Sequence, residues 1–138
     1  MKKFKEKYGI IPNVSDKDYF TNSIHVPVWK KISPFDKIDI ESKLTGYSSA
    51  GCITYVELDS TVKNNIDALE VLVNYAMDKD IPYFAINVPN DTCPECGSHN
   101  IQQLRRVTGY LTGNYKTSFN DGKIQETEMR VKHVGYME

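Results

Sequence analysis

Two stretches of the chain have the β-branched and aromatic composition of strands, and the segment between them repeats with a helical period. Cys52-Ile53-Thr54-Tyr55-Val56-Glu57-Leu58 and Pro82-Tyr83-Phe84-Ala85-Ile86-Asn87-Val88 are the two strand candidates. Between them Ile66, Leu69, Leu72, Val73, Ala76 and Met77 fall on one helical face, with Asn64 or Asn65 available as the cap. Strand, helix and strand in this order predict a βαβ unit with two parallel strands joined by a right-handed crossover. Tyr83 to Val88 is apolar on both faces, as expected of a strand covered on both sides. Two strands and one helix leave edges and faces open, so the unit should belong to a larger α/β sheet or barrel.

The flanking segments add shorter elements. Met1 to Gly9 has helical composition and stops on glycine, with Lys2 to Lys7 as its solvated face. Tyr19 to Trp29 alternates and predicts a strand that ends or bulges near Pro27, a residue with no ladder donor. Ser33-Pro34-Phe35-Asp36-Lys37-Ile38-Asp39-Ile40-Glu41 combines an N-cap serine, a proline at the first helical position and early carboxylates, which predicts a short helix. From Asn90 the composition turns to Asn, Asp, Thr, Cys, Pro and Gly, marking a boundary and a loop or small module. Phe119-Asn120-Asp121-Gly122 reads as a turn. It leads into a helix over Lys123 to Val134, capped by Asp121, with Ile124, Thr127, Val131 and Val134 on one face. No internal repeat or low-complexity tract interrupts the chain.

Charge and composition remove several function classes. With 138 residues, 17 basic against 18 acidic and a formal charge of -1, the chain has no electrostatic footprint for nucleic acid or an anionic membrane. No apolar run approaches the ~20 residues that span a bilayer, and the lysine-rich start lacks the apolar core of a leader. The expectation is a soluble, cytoplasmic protein. Three cysteines, two of them in Cys93-Pro94-Glu95-Cys96, suit metal or redox use in a reducing compartment better than a disulfide framework.

Cys93-Pro94-Glu95-Cys96-Gly97 is a knuckle in which two thiolates can share one metal, with the glycine letting amides turn toward sulfur. Structural zinc takes four protein ligands, and the other soft ligands are His99, His133 and Cys52. His99 is near enough in sequence to extend the pair to Cys-x-x-Cys-x-x-His. The same residues also suit a turn without metal or a labile disulfide. His25 reads as a half-buried histidine paired with a neighbour, Cys52 as a packing residue, and the tyrosines, Tyr19, Tyr47, Tyr55, Tyr83 and Tyr110 among them, as core residues with hydrogen-bonded tips.

Arg105-Arg106-Val107-Thr108-Gly109-Tyr110-Leu111-Thr112-Gly113 carries no nucleophile and no phosphate-cradling glycine spacing. Taken alone, Gly109 reads as a glycine in a left-handed turn. Arg106 to Leu111, however, resembles the Arg-Val-x-Gly-Tyr-Leu signature around the radical-bearing glycine of glycyl radical enzymes. Tyr19 to Pro27, Phe35 to Glu41, Ala85-Ile86-Asn87-Val88-Pro89, the Cys-Pro-x-Cys-Gly knuckle and Asp121-Gly122-Lys123 running to Arg130-Val131-Lys132-His133 resemble the C-terminal part of the anaerobic, class III ribonucleotide reductases.

That resemblance covers essentially the whole chain. It implies an α/β fold in three parts: the last strands and helices of a ten-stranded barrel over residues 1–89, a cysteine knuckle over 90–104, and a glycyl radical loop with a short C-terminal helix over 105–138. It implies a radical stored on Gly109, with Arg106, Val107, Thr108, Tyr110 and Leu111 supporting and burying the loop. A Cα radical is stabilised when it flattens and conjugates with the amides on both sides, and a Cβ would crowd that arrangement. The implied partners are the remaining N-terminal portion of the reductase, which carries the thiyl cysteine and binds the ribonucleotide, and an activating enzyme holding an iron-sulfur cluster and S-adenosylmethionine. The family's homodimer is implied as well. The family builds its zinc site from two Cys-x-x-Cys pairs, whereas this chain has only Cys93 and Cys96, and Cys52 does not match the thiyl cysteine. Incompleteness as a reductase on its own is therefore expected. A free-standing module replacing an oxygen-cut radical loop, or a catalytically silent knuckle-bearing binding module, are the other readings of the same residues.

Overall fold

The computed structural model describes residues 24–133 except 91, 94, 102–104 and 108–109, together with Lys3, Glu6 and Lys7, which are helical and exposed. The first long helix, α1, spans Pro34–Thr45. Ser33 is in extended conformation, its hydroxyl accepts from the Asp36 amide at 3.0 Å, and Pro34 opens the first turn. The helix runs beyond the expected end at Glu41 because Ile38, Glu41 and Thr45 continue its buried stripe.

Strand β1 covers Ile53–Glu57 and strand β2 covers Tyr83–Asn87. They pair in parallel from Ile53 opposite Tyr83 to Glu57 opposite Asn87, as the βαβ pattern requires. A 3-10 turn over Ser60–Asn64 leads to helix α2, Ile66–Asp78, whose first turn is capped by the Asn65 side chain accepting from the Ala68 amide. The helix closes through Asp80 in the left-handed region, where the Asp80 and Ile81 amides satisfy the Met77 and Ala76 carbonyls.

Ile38, Val56, Leu58, Leu72, Ala76 and Ile81 form the core between α1, β1 and α2. At the rim Phe35 meets Tyr75 edge to face at 5.0 Å, and Asp39 accepts from the Tyr75 hydroxyl at 2.9 Å and pairs with Lys79 at 2.8 Å. Only part of the apolar face expected of α2 is used. Leu72 and Ala76 are buried, whereas Ile66 is 73 % and Met77 64 % exposed. Likewise β2 is half-exposed and Tyr83 is 60 % exposed, contrary to the reading of a strand covered on both faces. The cause is topological: among the described residues β2 pairs only with β1. Tyr47 is also exposed, so the tyrosines are not uniformly core.

Two further expectations change. Residues 24–29 form no strand; residues 19–23 lie outside the described residues. The Val26 amide donates to Glu41 at 2.9 Å instead of to a ladder, and the Lys30 amide turns back onto the Pro27 carbonyl. The C-terminal helix is also shorter than expected. After a single turn, α3 (Tyr115–Ser118), helix α4 spans Asp121–Glu128 and its cap is Asn120, not Asp121. Arg130 to His133 belong to no helix or strand, and Val134 lies outside the described residues. Between the knuckle and α3 a short antiparallel hairpin pairs β3, Arg105–Val107, with β4, Tyr110–Thr112.

Ile38 has no exposed surface at the centre of the core. Ile38→Ala should cost about 2–4 kcal/mol through lost transfer energy and the cavity left behind, measured as a lower urea midpoint at unchanged slope.

Candidate functional site

The segment after α4 lies against the carboxyl end of β1. The His133 amide donates to the Glu57 carbonyl at 2.7 Å, and the Glu57 amide donates to His133 Nδ1 at 2.9 Å. This reciprocal pair fixes the neutral tautomer that carries its proton on Nε2. Burial, aided by the positive charge of Lys37, pushes the His133 pKa down to about 4. Upstream, the Val131 amide donates to the Val28 carbonyl at 2.9 Å. Lys132 pairs with Asp59, and this hydrogen bond, with another from the Thr61 amide, holds the Asp59 carboxyl down at about 2.

Arg130 connects three elements. Its Nη1 lies 3.0 Å from Glu57 Oε1, and its Nη2 donates to the Arg106 carbonyl in β3 at 2.6 Å. The Asn87 side-chain amide donates to the same Glu57 oxygen at 2.9 Å, tying in the carboxyl end of β2. The Arg106 guanidinium sits 5.9 Å over the Tyr55 ring. A groove of about 750 Å3 opens beside these groups, bounded by Asn87, Pro89, Cys93, Arg106, Leu111 and Lys132. It brings the carboxyl ends of the parallel strands, the knuckle and the hairpin to one place.

Arg106 is exposed at the rim of this groove, and Leu111 lines it at 59 % exposure. Leu111 is thus not buried within the chain. Thr108 and Gly109, and the side chains of Val107 and Tyr110, lie outside the described residues. The register places Val107 opposite Tyr110, so residues 108–109 connect the two strands of the hairpin.

The knuckle has a defined local shape. The Gly97 amide donates to the Cys93 carbonyl at 2.9 Å, the Cys93 amide donates to the Ser98 carbonyl at 2.8 Å, and Gly97 takes a φ of +69°, open to glycine at little cost. The amides of Cys96 and then Glu95, with the Cys96 thiol, donate to the Cys93 sulfur and hold its pKa below the usual thiol value. A complete zinc site does not fit these residues. Among the described residues no three His, Cys, Asp or Glu side chains converge, so His99 is not brought into a set with Cys93 and Cys96.

A second polar cluster lies under α1. Glu41, fully buried, accepts from the Val26 amide and stands 3.3 Å from both Lys37 Nζ and His25 Nδ1. Burial opposes its ionisation, but the His25 hydrogen bond, the Lys37 charge and the Val26 amide outweigh burial and keep its pKa below the usual value. His25 is therefore paired, as the sequence suggested. Cys52 is buried as expected, 3.8 Å from His25 Nε2, and burial and the nearby Glu41 charge raise its pKa, so it is a packing thiol rather than a reactive one. No helix among the described residues is long and apolar enough to cross a membrane.

Glu57, Tyr55, Arg130 and His133 were not singled out from their own surroundings. Arg130 is marked only by the family-like tail, and His133 by that tail and as a soft ligand considered for the knuckle, both on a stretch expected to be helical.

Comparisons with known proteins give the family of the chain. A family model described as anaerobic ribonucleoside-triphosphate reductase matches residues 1–133, and the chain belongs to that family. It is similar to proteins named anaerobic ribonucleoside-triphosphate reductase from Escherichia coli strain K12 and from Salmonella typhimurium. Each is 37% identical over 150 residues, covering 94% of this chain and 21% of the relative. The protein of that name from Enterobacteria phage T4 is also 37% identical, over 93% of this chain and 24% of its own length. The chain thus spans about a fifth to a quarter of the length of the curated relatives it matches.

His133 titrates near 4 in the folded chain against an ordinary 6.5, so as pH falls the unfolded chain takes up its proton first. Its contribution is complete above about pH 6.5 and is lost as pH falls toward 4. His133→Asn, which keeps an acceptor but does not titrate, should shrink the loss of unfolding free energy between about pH 6.5 and about pH 4.5 by about 2 kcal/mol, read from urea melts across that range.

Proposed function

We propose that this chain is the radical-bearing part of an anaerobic ribonucleotide reductase, with Gly109 as the residue that stores the unpaired electron. The observation that carries the reading is the hairpin of β3 and β4, on either side of residues 108–109 in the sequence, held at the carboxyl ends of two parallel strands in a chain of the reductase family. Carboxyl ends of parallel strands are where α/β folds assemble reactive groups. An activating enzyme with an iron-sulfur cluster and S-adenosylmethionine would remove one hydrogen atom from the Gly109 Cα. The radical left behind would take a hydrogen atom from a cysteine thiol of the larger partner, restoring glycine and leaving a thiyl radical for the ribonucleotide. Val107, Tyr110 and Leu111 supply apolar cover. Because Leu111 is exposed and lines the groove, that cover is completed by the partner.

Residues 1–89 are read as the last strands and helices of the ten-stranded barrel, 90–104 as the knuckle and 105–138 as the radical loop and tail. The half-exposed β2 and the exposed Ile66, Val71 and Met77 of α2 support this, since they form an apolar edge and face of the kind that adjoining barrel strands and helices cover. A spare loop module would need only the tail, which favours an N-terminal reductase portion as the partner. The three cysteines are unpaired, in keeping with a reducing compartment such as the cytoplasm. With a single pair of thiols, zinc takes no part in the reading.

Two outcomes test it. Anaerobic incubation with the activating enzyme should give a glycyl doublet in electron paramagnetic resonance that disappears in Gly109→Ala, and a signal unchanged by that substitution would end the assignment. Mixing with an N-terminal reductase portion should restore deoxynucleotide formation. Met77→Lys, on the uncovered face of α2, should weaken that restoration at least tenfold, as a charge placed in a desolvated interface does; equal activity would place the partner elsewhere.

A further inference from the structure

We infer that Arg130 is a positioning residue, holding the β3–β4 hairpin against the carboxyl ends of β1 and β2. The inference builds on the reading of Gly109 as the radical site, but its geometry stands independently.

The Arg130 guanidinium is the sole described side chain that joins β1 to the backbone of the hairpin through hydrogen bonds, with Nη1 to Glu57 at 3.0 Å and Nη2 to the Arg106 carbonyl at 2.6 Å. Both anchors are themselves fixed. Glu57 is held by Asn87 at 2.9 Å, and Arg106 is held over the Tyr55 ring. Arg130 cannot drift, because the tail after it is bonded to β1 through His133 and to the chain before α1 through Val131.

The third guanidinium nitrogen, Nε, has no hydrogen-bond partner among the described residues, and neither have the Tyr55 hydroxyl and His133 Nε2. Arg130, Tyr55 and His133, the last 4 % exposed, are among the residues that line a cavity of about 20 Å3. That space is about the size of one water, which could accept from two of these groups. Arginine suits the position because its planar fork can donate in several fixed directions at once. A lysine ammonium would keep the charge pair with Glu57 but not the whole set.

Glu57 and Arg106 have other roles in fold and hairpin, so Arg130 is the group to vary. Amide hydrogen exchange on the full chain is the measurement, with Arg130→Gln, Arg130→Lys and, as a control on the same tail, Lys132→Gln. Exchange at 105–107 and 110–112 should rise at least tenfold in Arg130→Gln, the loss of a charged hydrogen bond being worth about that much. It should stay fast in Arg130→Lys, while residues 53–57 remain as protected as in the parent chain in both. Lys132→Gln should leave the hairpin unchanged. Hairpin exchange at the parent rate in Arg130→Gln overturns the inference. So does full recovery in Arg130→Lys, or equal loosening of the hairpin in Lys132→Gln. If Arg130→Gln loosens β1 as well, Arg130→Lys decides: β1 protected with a fast hairpin supports positioning, and both fast overturns it. After anaerobic activation, a parent chain that shows no doublet would sink the radical reading alone. A doublet that survives in Arg130→Lys with altered hyperfine splitting and faster decay in air would tie the positioning to the radical.

Discussion

The long-range order of this chain depends on Glu57, the last residue of β1. Its backbone exchanges two hydrogen bonds with His133, and its carboxylate receives Asn87 from β2 and Arg130 from the tail. One residue therefore ties together both parallel strands, the tail and, through Arg130, the hairpin. The carboxylate is multiply hydrogen-bonded to charged and polar donors, the condition under which a largely buried ion contributes instead of costing stability. The Asn87 amide and the Arg130 guanidinium converge on the same oxygen, which restricts its rotamer and hence the direction in which Arg130 can reach.

The polar cluster under α1 works differently. Glu41 gathers the Val26 amide, Lys37 and His25 in a fully buried position, and it does so at the point where a ladder would otherwise have formed. The acidic side chain replaces a strand partner for residues 24–26. That gives the segment a fixed path across α1 without regular structure, and carries Val28 to where its carbonyl can receive Val131. Buried charge in this chain acts as a connector between irregular segments, while among the described residues the connected apolar core is a small set around Ile38, Val56 and Leu72.

Such a small core, beside an apolar strand edge and an exposed apolar helix face, is what a parallel sheet looks like before its remaining strands and helices are added. The relatives are four to five times longer than the stretch they share with this chain, in accord with a fold completed by further structure. The groove lies between the strand ends, the knuckle and the hairpin, with Asn87 and Pro89 contributed by the end of β2 and the loop that follows it.

Elements whose signals lie within one or two turns were legible in the residues. Ser33 and Pro34 started α1, Asn65 capped α2, and β-branched runs marked both strands, because capping and periodicity are satisfied by near neighbours. The Arg106 to Leu111 hexapeptide was legible as a family-like motif, though the pairing of its flanks as a hairpin was not. What the residues could not reveal was every arrangement closed across long loops. Glu57 meets His133 over 76 residues and Arg106 meets Arg130 over 24, and the tail that makes these contacts had a pattern that also fits a helix. An arginine or histidine carries no local mark of the backbone it will bind. That choice is made only when folding brings distant carbonyls and carboxylates within reach and the cost of burying them has to be met by pairing.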